Sequence, residues 1–433
     1  MNRRGFIAGM TASLSSGRAG ANTSAPPDLR EAARDAWLFA LPLIELAALR
    51  ARPNPINGQP VPINAFTHVR SLAGPKARAV TAPNTDTLYS SAFVDTTRGP
   101  VLLEVPDCGK RYLSVQIMDM YTNNNFILSP RTPGGAAGAW HLLSPDSEPR
   151  DSRGLRLATP HAWLLVRILV DGTSELSAVY AIQDRLVLQG PAFPPSIAEA
   201  TRTSGWPVYF AAAEQLLKSD PPQFKNGLDA FMKVRDAGSG RDFSPAGYTP
   251  ETAAAIDAGV ADAAAIARSA GLRKDFIGGW TLGEFGNHFI FRAIVATTGL
   301  GALKPAEAMY MRPAGDRDGL FEGDGLYRLS LPGPIPVDAF WSLTMYESIG
   351  DGRFFLTENR LNRYAIGDRT EGLVRGPDGA LDIWIGRTDP GGGRTANWLP
   401  APEKGPFALT LRAYLPRPEL LSGAYRLPAI VQA

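Results

Sequence analysis

The stretch Tyr112-Leu113-Ser114-Val115-Gln116-Ile117-Met118, followed by Asp119-Met120-Tyr121-Thr122-Asn123-Asn124-Asn125, sets the fold class. Apolar and polar residues alternate in the first part, as on a strand with one buried face, and the second part is a polar run of turn-forming residues that ends it. The pattern recurs outward. From about Phe93 to Leu188, short runs are bounded by Gly, Pro, Asp and Asn, among them Val101 to Val105, Ala162 to Val170 and Ala178 to Ile182. Such spacing is that of an antiparallel sandwich or barrel. After Lys304 strands return as Tyr327 to Leu331, Ala339 to Tyr346, Ile383 to Arg387 and Ala408 to Leu415, with turns at Gly350, Asp378-Gly379 and Gly391-Gly392-Gly393.

Between about Ser196 and Ala302 the period changes, and the Ala-rich Thr252 to Ala267 and the mixed Trp280 to Thr298 read as helices. A helix is also expected from Asp28 to about Arg52. Asp28 pairs with Glu31 as a capping signal, and Ala33, Trp37, Leu41, Ile44 and Ala48 recur at helical spacing, with Pro42 expected to kink or interrupt the run. The chain is therefore expected to be α+β, with two antiparallel β-sandwich or barrel-like units and a helical segment between them. The expected units are an N-terminal β-rich domain with a leading helix (28–195), a helical segment (196–303) and a C-terminal β-rich domain (304–433). No repeat at a solenoid period is visible, and a distant likeness of architecture between the two β halves stays open.

Composition narrows the classes. At 433 residues, 44% hydrophobic and 20% charged, the chain can bury a large core. The formal charge of +2 and the lack of a Lys/Arg cluster on a recognisable helix argue against a nucleic-acid partner. The 37 prolines and 44 glycines suit a turn-rich β protein. The single cysteine, Cys108, rules out an intrachain disulfide and a cysteine-based zinc cage, and is expected to be a small buried apolar residue.

The N-terminus reads Asn2-Arg3-Arg4-Gly5-Phe6-Ile7-Ala8-Gly9-Met10, paired arginines before a weakly apolar stretch, and resembles a twin-arginine export signal. Ala19-Gly20-Ala21 supplies small residues for cleavage, so residues 1–21 are expected to be a signal peptide and the mature protein periplasmic or secreted. No other segment reaches the apolar length of a membrane helix.

Several motifs are long enough to be specific. Thr81-Ala82-Pro83-Asn84-Thr85-Asp86-Thr87-Leu88-Tyr89-Ser90-Ser91 and Met118-Asp119-Met120-Tyr121-Thr122-Asn123 resemble the bacterial domain-of-unknown-function family numbered twelve-fifty-four. Val337-Asp338-Ala339-Phe340-Trp341-Ser342-Leu343-Thr344-Met345-Tyr346, Asn362 to Arg369 and Asn397 to Pro402 resemble its usual companion, the family numbered twelve-fourteen. The resemblance spans nearly all of the mature chain. It implies two β-rich domains with helices between them in an exported protein, and it carries no catalytic residues.

Chemistry must come from the residues themselves. No Gly-x-Ser-x-Gly elbow stands near a plausible His, and no His-Glu-x-x-His occurs. Of the histidines His68, His141, His161 and His288, His68 is best placed, just before the Asn84 loop. The polar loops around Asp86 and Asp119 would form one pocket if they met. Asp86 or Asp119 would then serve as base, with Tyr89 or Tyr121 as acid. Both carboxylates are equally open to turn-forming roles. With the amide oxygens of Asn84 and Asn123 they are also open to a hard cation such as calcium, although no cofactor is firmly implied and no residue is assigned as a metal ligand.

Arg167 sits in the apolar strand Leu164 to Val170, where an unpaired guanidinium would be costly, so it must face solvent, a carboxylate or a ligand. Arg292 raises the same question, with Glu284 or Glu307 as expected partners, and Arg363 with Asp368 is expected to fix a loop. The candidate catalytic set is Asp86, Tyr89, Asp119, Tyr121 and Arg167, with Asn84, Thr87, Asn123, His68 and Trp341 as substrate-binding candidates. Trp341 and Tyr346 lie an odd number of positions apart on one strand, so only one can face a given cavity.

The function expected is that of an exported periplasmic enzyme acting on a small organic substrate by hydrolysis or elimination through a carboxylate, tyrosine and arginine pocket. The alternative is a non-catalytic ligand- or metal-binding β-sandwich protein of the cell envelope. A small molecule is the expected partner, and a homo-oligomer stays open.

Overall fold

The computed structural model describes residues 27–54, 57–78, 81–238, 243–269, 288–313, 315–316, 319–350 and 353–433. The expected signal peptide and Glu284 lie outside the described residues.

The first β unit carries β1 (Thr67–His68), β2 (Thr87–Asp95), β3 (Val101–Val105), β4 (Leu113–Asp119), β5 (Asn124–Leu128), β6 (Gly138–Leu143), β7 (Gly154–Arg156), β8 (His161–Leu169) and β9 (Val187–Gln189). These make a front sheet, β1-β2-β8-β4-β5, and a back sheet, β7-β6-β3-β9. Period-two alternation decides what lies between them. On β2, β4 and β8, Leu88, Val94, Leu113, Val115, Ile117, Leu164, Val166 and Ile168 point into the sandwich core with Val101 and Leu103 of the back sheet.

The second unit carries β10 (Ala308–Met311), β11 (Tyr327–Leu331), β12 (Trp341–Ser348), β13 (Phe354–Phe355), β14 (Ala365–Gly367), β15 (Leu381–Gly386), β16 (Trp398–Pro400), β17 (Phe407–Tyr414) and β18 (Val431–Gln432). Its front sheet is β10-β17-β12-β13 with β14 also on β12, and its back sheet is β16-β15-β11-β18. The two units follow one plan. In the first, β2-β8-β4 lie in front and β7-β6-β3-β9 behind; in the second, β10-β17-β12 and β16-β15-β11-β18 take the corresponding places. Even the parallel pair recurs, as β6 with β7 and β15 with β16, among otherwise antiparallel pairings. Every sheet is open, so of sandwich and barrel the structure takes the sandwich.

Between the units run α3 (Trp206–Ser219), α4 (Leu228–Asp236), α5 (Pro250–Ser269) and α6 (Phe289–Thr298). The leading helix α1 (Pro27–Arg50), grouped by sequence with the strands that follow it, packs instead on α3, α4, α5 and α6. It continues through Pro42, since a central helix gains enough from burial to carry a missing hydrogen bond. The helices touch closely: a Cβ on Gly259 of α5 would sit 2.2 Å from the Arg30 carbonyl oxygen of α1. Their shared core takes in Phe93, Met118, Trp163 and Leu165 from the outer face of the first front sheet.

One expected strand is a helix. Ala178 to Ile182 lies in α2 (Leu176–Gln183), where Val179, Ile182 and Gln183 are buried at a spacing of three to four. A short α7 (Pro418–Leu421) follows β17.

Candidate functional site

A cavity of about 1730 Å³ opens between the two front sheets and the C-terminal end of α6. Strand parity places its polar wall. Because Leu88, Ile168, Leu409 and Leu411 face the sandwich cores, Tyr89 and Arg167 on one sheet and Thr410, Arg412 and Tyr414 on the other face the cavity.

The duplication extends to these residues. Across the first front sheet Tyr89 pairs with Arg167, and Arg167 with Ser114. Across the second, Tyr310 pairs with Arg412, and Arg412 with Ser342. Each front sheet therefore carries one Tyr-Arg-Ser row on the corresponding strands.

The guanidinium groups have neutral partners. Arg167, 4% exposed, donates from Nη1 to Gln116 Oε1 at 2.8 Å and from Nη2 to the Gly301 carbonyl. Arg412, also 4% exposed, donates to Thr344 Oγ1 at 3.0 Å and to the Ala82 carbonyl at 2.8 Å. Both accepting carbonyls belong to residues with positive φ, Gly301 at 83° and Ala82 at 48°. For Ala82 that conformation costs about 1–2 kcal/mol. Such strain persists only where surrounding contacts enforce it, as they do at binding sites. Arg312, half-buried on the same wall, stacks over Phe354 at 4.6 Å and hydrogen-bonds to none of the described residues.

Phenols stand among these cations. Tyr414 Oη accepts from Asn84 Nδ2 at 2.6 Å and Tyr310 Oη from the Leu303 amide at 3.2 Å, which leaves each O–H free to donate. Burial raises both phenols above their ordinary value, so both keep their protons at neutral pH. The Tyr89 hydroxyl hydrogen-bonds to none of the described residues and opens into the cavity. Thr410 Oγ1 is buried without a partner among them. The acidic residues of the cavity are Glu45, held by Arg202, and the exposed Glu358 and Glu403.

Of the candidates named from sequence, Asn84, Thr87, Tyr89 and Arg167 line this cavity. The two polar loops do not form one pocket. Asp86 turns from the cavity, accepting from Arg369 Nη2 at 2.8 Å and Ser342 Oγ at 2.6 Å, and so ties the first sandwich to the second. The Asx-type turn here belongs to Asn84, whose Oδ1 accepts from the Asp86 amide at 2.6 Å.

Asp119 is spent on its own loop. Its Oδ1 accepts from the amides of Tyr121 and Asn123, and its Oδ2 from the side chains of Asn123 and Asn125, while burial pushes the carboxyl up. Tyr121 lies in the helical core and donates to the Asp220 carbonyl at 2.7 Å. Asn123 Oδ1 accepts from Arg292 at 2.6 Å.

His68 Nδ1 lies 2.8 Å from Ser90 Oγ, outside the cavity, and burial lowers its pKa. Trp341 is in the second sandwich core, and Tyr346, on the opposite face, donates to the Pro83 carbonyl at 2.8 Å. Asp86 and Asp119 do not converge, and among the described residues no three His, Cys, Asp or Glu side chains gather as a cation cage.

Of the two partners expected for Arg292, Glu307 is engaged elsewhere and Glu284 lies outside the described residues. Arg292 donates to the Tyr121 carbonyl and Asn123, while Glu307 accepts from Tyr112 at 2.7 Å and Ser129 at 2.9 Å. Arg363 donates to the carbonyls of Thr395, Ala396 and Trp398, while Asp368 accepts from the Trp341 amide. Both fix loops, but not as a pair. Cys108 is half-buried, its sulfur 3.2 Å from the Arg111 carbonyl.

Missed at the sequence level were Tyr310, Arg312, Thr410, Arg412 and Tyr414. A signal existed for one of them: Arg412 lies in Phe407-Ala408-Leu409-Thr410-Leu411-Arg412-Ala413-Tyr414, a lone guanidinium in a largely apolar strand, as Arg167 does.

Residues 63–190 match a family model described as Protein of unknown function (DUF1254), and residues 307–418 match one described as Protein of unknown function (DUF1214). The chain carries both domains, paired. The DUF1254 match spans β1 to β9, the DUF1214 match β10 to β17, and neither reaches the helices α3 to α6 between. The structure is similar to the crystal structure of the VPA0106 protein from Vibrio parahaemolyticus at 23% identity and a TM-score of 0.65, covering 94% of this chain and 100% of that one. A putative uncharacterized protein from Burkholderia cenocepacia matches at 14% identity and a TM-score of 0.43, covering 95% of this chain and 92% of that one. None of the curated proteins matches. The Vibrio likeness speaks to the fold of the paired DUF1254 and DUF1214 regions. Among the described residues no helix is long and apolar enough to cross a membrane.

Proposed function

We propose that this chain is an exported enzyme that acts on a small organic anion bound in the cleft between its two sandwiches. One observation carries the proposal: Arg167, Arg312 and Arg412 open into one cavity, and among the described residues none of them is paired with a carboxylate. Burying a charge without an opposite charge costs several kcal/mol, so a site that keeps three such groups is matched to a ligand that supplies the missing charge. Beyond Arg167 the same wall turns apolar through Leu165, Trp163 and Phe93, which suits a ligand with an apolar body.

The proton donors are Tyr89, Tyr310 and Tyr414. A protonated phenol beside a guanidinium can donate to a leaving group or to an oxygen that gains charge, a need shared by hydrolysis and elimination. Asp86 and Asp119 take no part in this scheme. Export to the periplasm rests on Arg3-Arg4 and the stretch after them. One observation favours a binding protein without turnover: apart from Glu45, Glu358 and Glu403, the described cavity wall has no carboxylate or imidazole to act as base.

The test is a thermal-shift and turnover screen of small organic acids on wild type, Arg167→Gln and Tyr89→Phe. Wild type should be stabilised by anions and Arg167→Gln should not; Tyr89→Phe should keep binding and lose turnover. Binding without turnover in wild type would select the binding protein, and no stabilisation by any organic acid would refute the site.

A further inference from the structure

We infer that the ligand of this cleft carries two separated negative groups, as a dicarboxylate does, one held at the Arg167 row of the first sandwich and the other at the Arg412 row of the second. The inference rests on the reading of the cleft as an anion site and goes beyond it by naming the class of anion.

The first support is the duplication. Each sandwich places a Tyr-Arg-Ser row on the corresponding strands of its front sheet, Tyr89-Arg167-Ser114 and Tyr310-Arg412-Ser342. Each arginine is steadied by a carbonyl of a positive-φ residue, Gly301 or Ala82, and by one neutral side chain, Gln116 or Thr344. Both sandwiches thus present an oriented guanidinium to one space, each with a phenol from the neighbouring strand. A monoanion held at one row would leave the guanidinium of the other without a counter-charge in contact.

The second support is the charge balance. Where an arginine of one sandwich ties it to the other, the chain supplies a carboxylate: Arg369 lies 2.8 Å from Asp86, and Arg131 lies 3.5 Å from Asp338. Arg167, Arg312 and Arg412 have none among the described residues. Three cations on one wall are better matched by a dianion than by a monoanion, because the electrostatic gain in a partly desolvated site grows with each charge neutralised.

The third support is the set of donors left over. Tyr89, Tyr310 and Tyr414 lie within electrostatic reach of both Arg167 and Arg412, and Thr410 and Arg312 add further donors beside the second row. Acceptors for such donors are what carboxylate groups provide.

The experiment is isothermal titration of the purified protein with a matched probe set: benzoate and hexanoate, terephthalate and adipate, and phenyl phosphate. Terephthalate or adipate should bind wild type at least roughly tenfold more tightly than the monocarboxylate of similar body, the increment expected of one more charge-assisted contact. Arg167→Gln and Arg412→Gln should each reduce the dicarboxylate to the affinity of the monocarboxylate. Equal affinity for mono- and dicarboxylates, or phenyl phosphate binding as tightly as the dicarboxylates, would overturn the two-ended assignment while leaving an anion site. Failure of all five probes would remove both the assignment and the anion site. The wild-type series decides by itself if a variant does not fold, and Arg412→Lys, which keeps the charge, should retain most of the preference.

Discussion

Replacing Arg167 with methionine should barely change the stability of the ligand-free protein, although the residue is almost completely buried and hydrogen-bonded twice. Two opposed quantities decide this. The substitution removes two hydrogen bonds from a charged donor, each worth about 1.5–3 kcal/mol. It also removes a guanidinium held away from bulk water with no carboxylate of the described residues in contact with it, whose effective desolvation penalty is on the order of several kcal/mol. Methionine fills the space of the stem and adapts to its surroundings. Gln116 keeps its bond to the Ala302 carbonyl, so the orphaned acceptors are its own buried Oε1 and the Gly301 carbonyl, of which the second lines the cavity where water can serve it. The terms nearly cancel, and the net change should fall within about 1.5 kcal/mol of zero. Urea unfolding of both proteins, read as a shift in midpoint at constant slope, measures it. A loss of about 3 kcal/mol or more, the range for breaking a buried ion pair, would refute the reasoning, because Arg167 would then be held by the fold for its own sake.

Other outcomes follow from the same contacts. Asp86→Asn should destabilise by about 1.5–3 kcal/mol, since Arg369 loses its nearest carboxylate and keeps, among the described residues, only Asp368 at 3.8 Å and Asp171 at 4.0 Å, and Arg369→Gln added to it should cost much less than the sum of the two single changes; additive losses in a double-mutant cycle would be inconsistent with the pair. Gly301→Ala should cost about 1–3 kcal/mol in thermal unfolding and weaken anion binding, since its φ is 83° and its new Cβ would lie 3.1 Å from Leu165, whereas Ala82→Gly should be neutral or stabilising. His161 lies 2.9 Å from Asp220 and 3.2 Å from Asp95; burial alone would lower its pKa, but those carboxylates outweigh it and raise the imidazole to about 9. Its contribution to stability should therefore be complete below its ordinary value of 6.5 and fade as pH rises towards 9, and a melting profile of His161→Gln with an unchanged alkaline slope would contradict this. Asp95, which burial would raise, is drawn down to about 2 by His161 and Thr97, so its share should be lost as pH falls from 3.8 towards 2.

Much of the fold was legible in the chain. Strands such as Val101–Val105 and Tyr327–Leu331 appear where alternation places them, because a sandwich strand with one buried face writes its period directly into the sequence. The exception is Ala178 to Ile182, too short and too apolar for periodicity to separate strand from helix. Arg167 was also legible, since a guanidinium in an apolar strand has few places to go.

What the sequence by itself determined was the run of elements and the local cost of single residues, both of which depend on neighbours a few positions away. The tertiary structure alone decided which polar groups meet. Asp86 and Asp119 stand in similar polar runs, yet one binds an arginine 283 positions away and the other closes its own loop. Arg167 and Arg412 lie in separate domains, and they face one cavity because two sandwiches of one topology set their front sheets around it. Pairing across such separations is set by the docking of whole sheets, an outcome of the global packing free energy that no local pattern encodes.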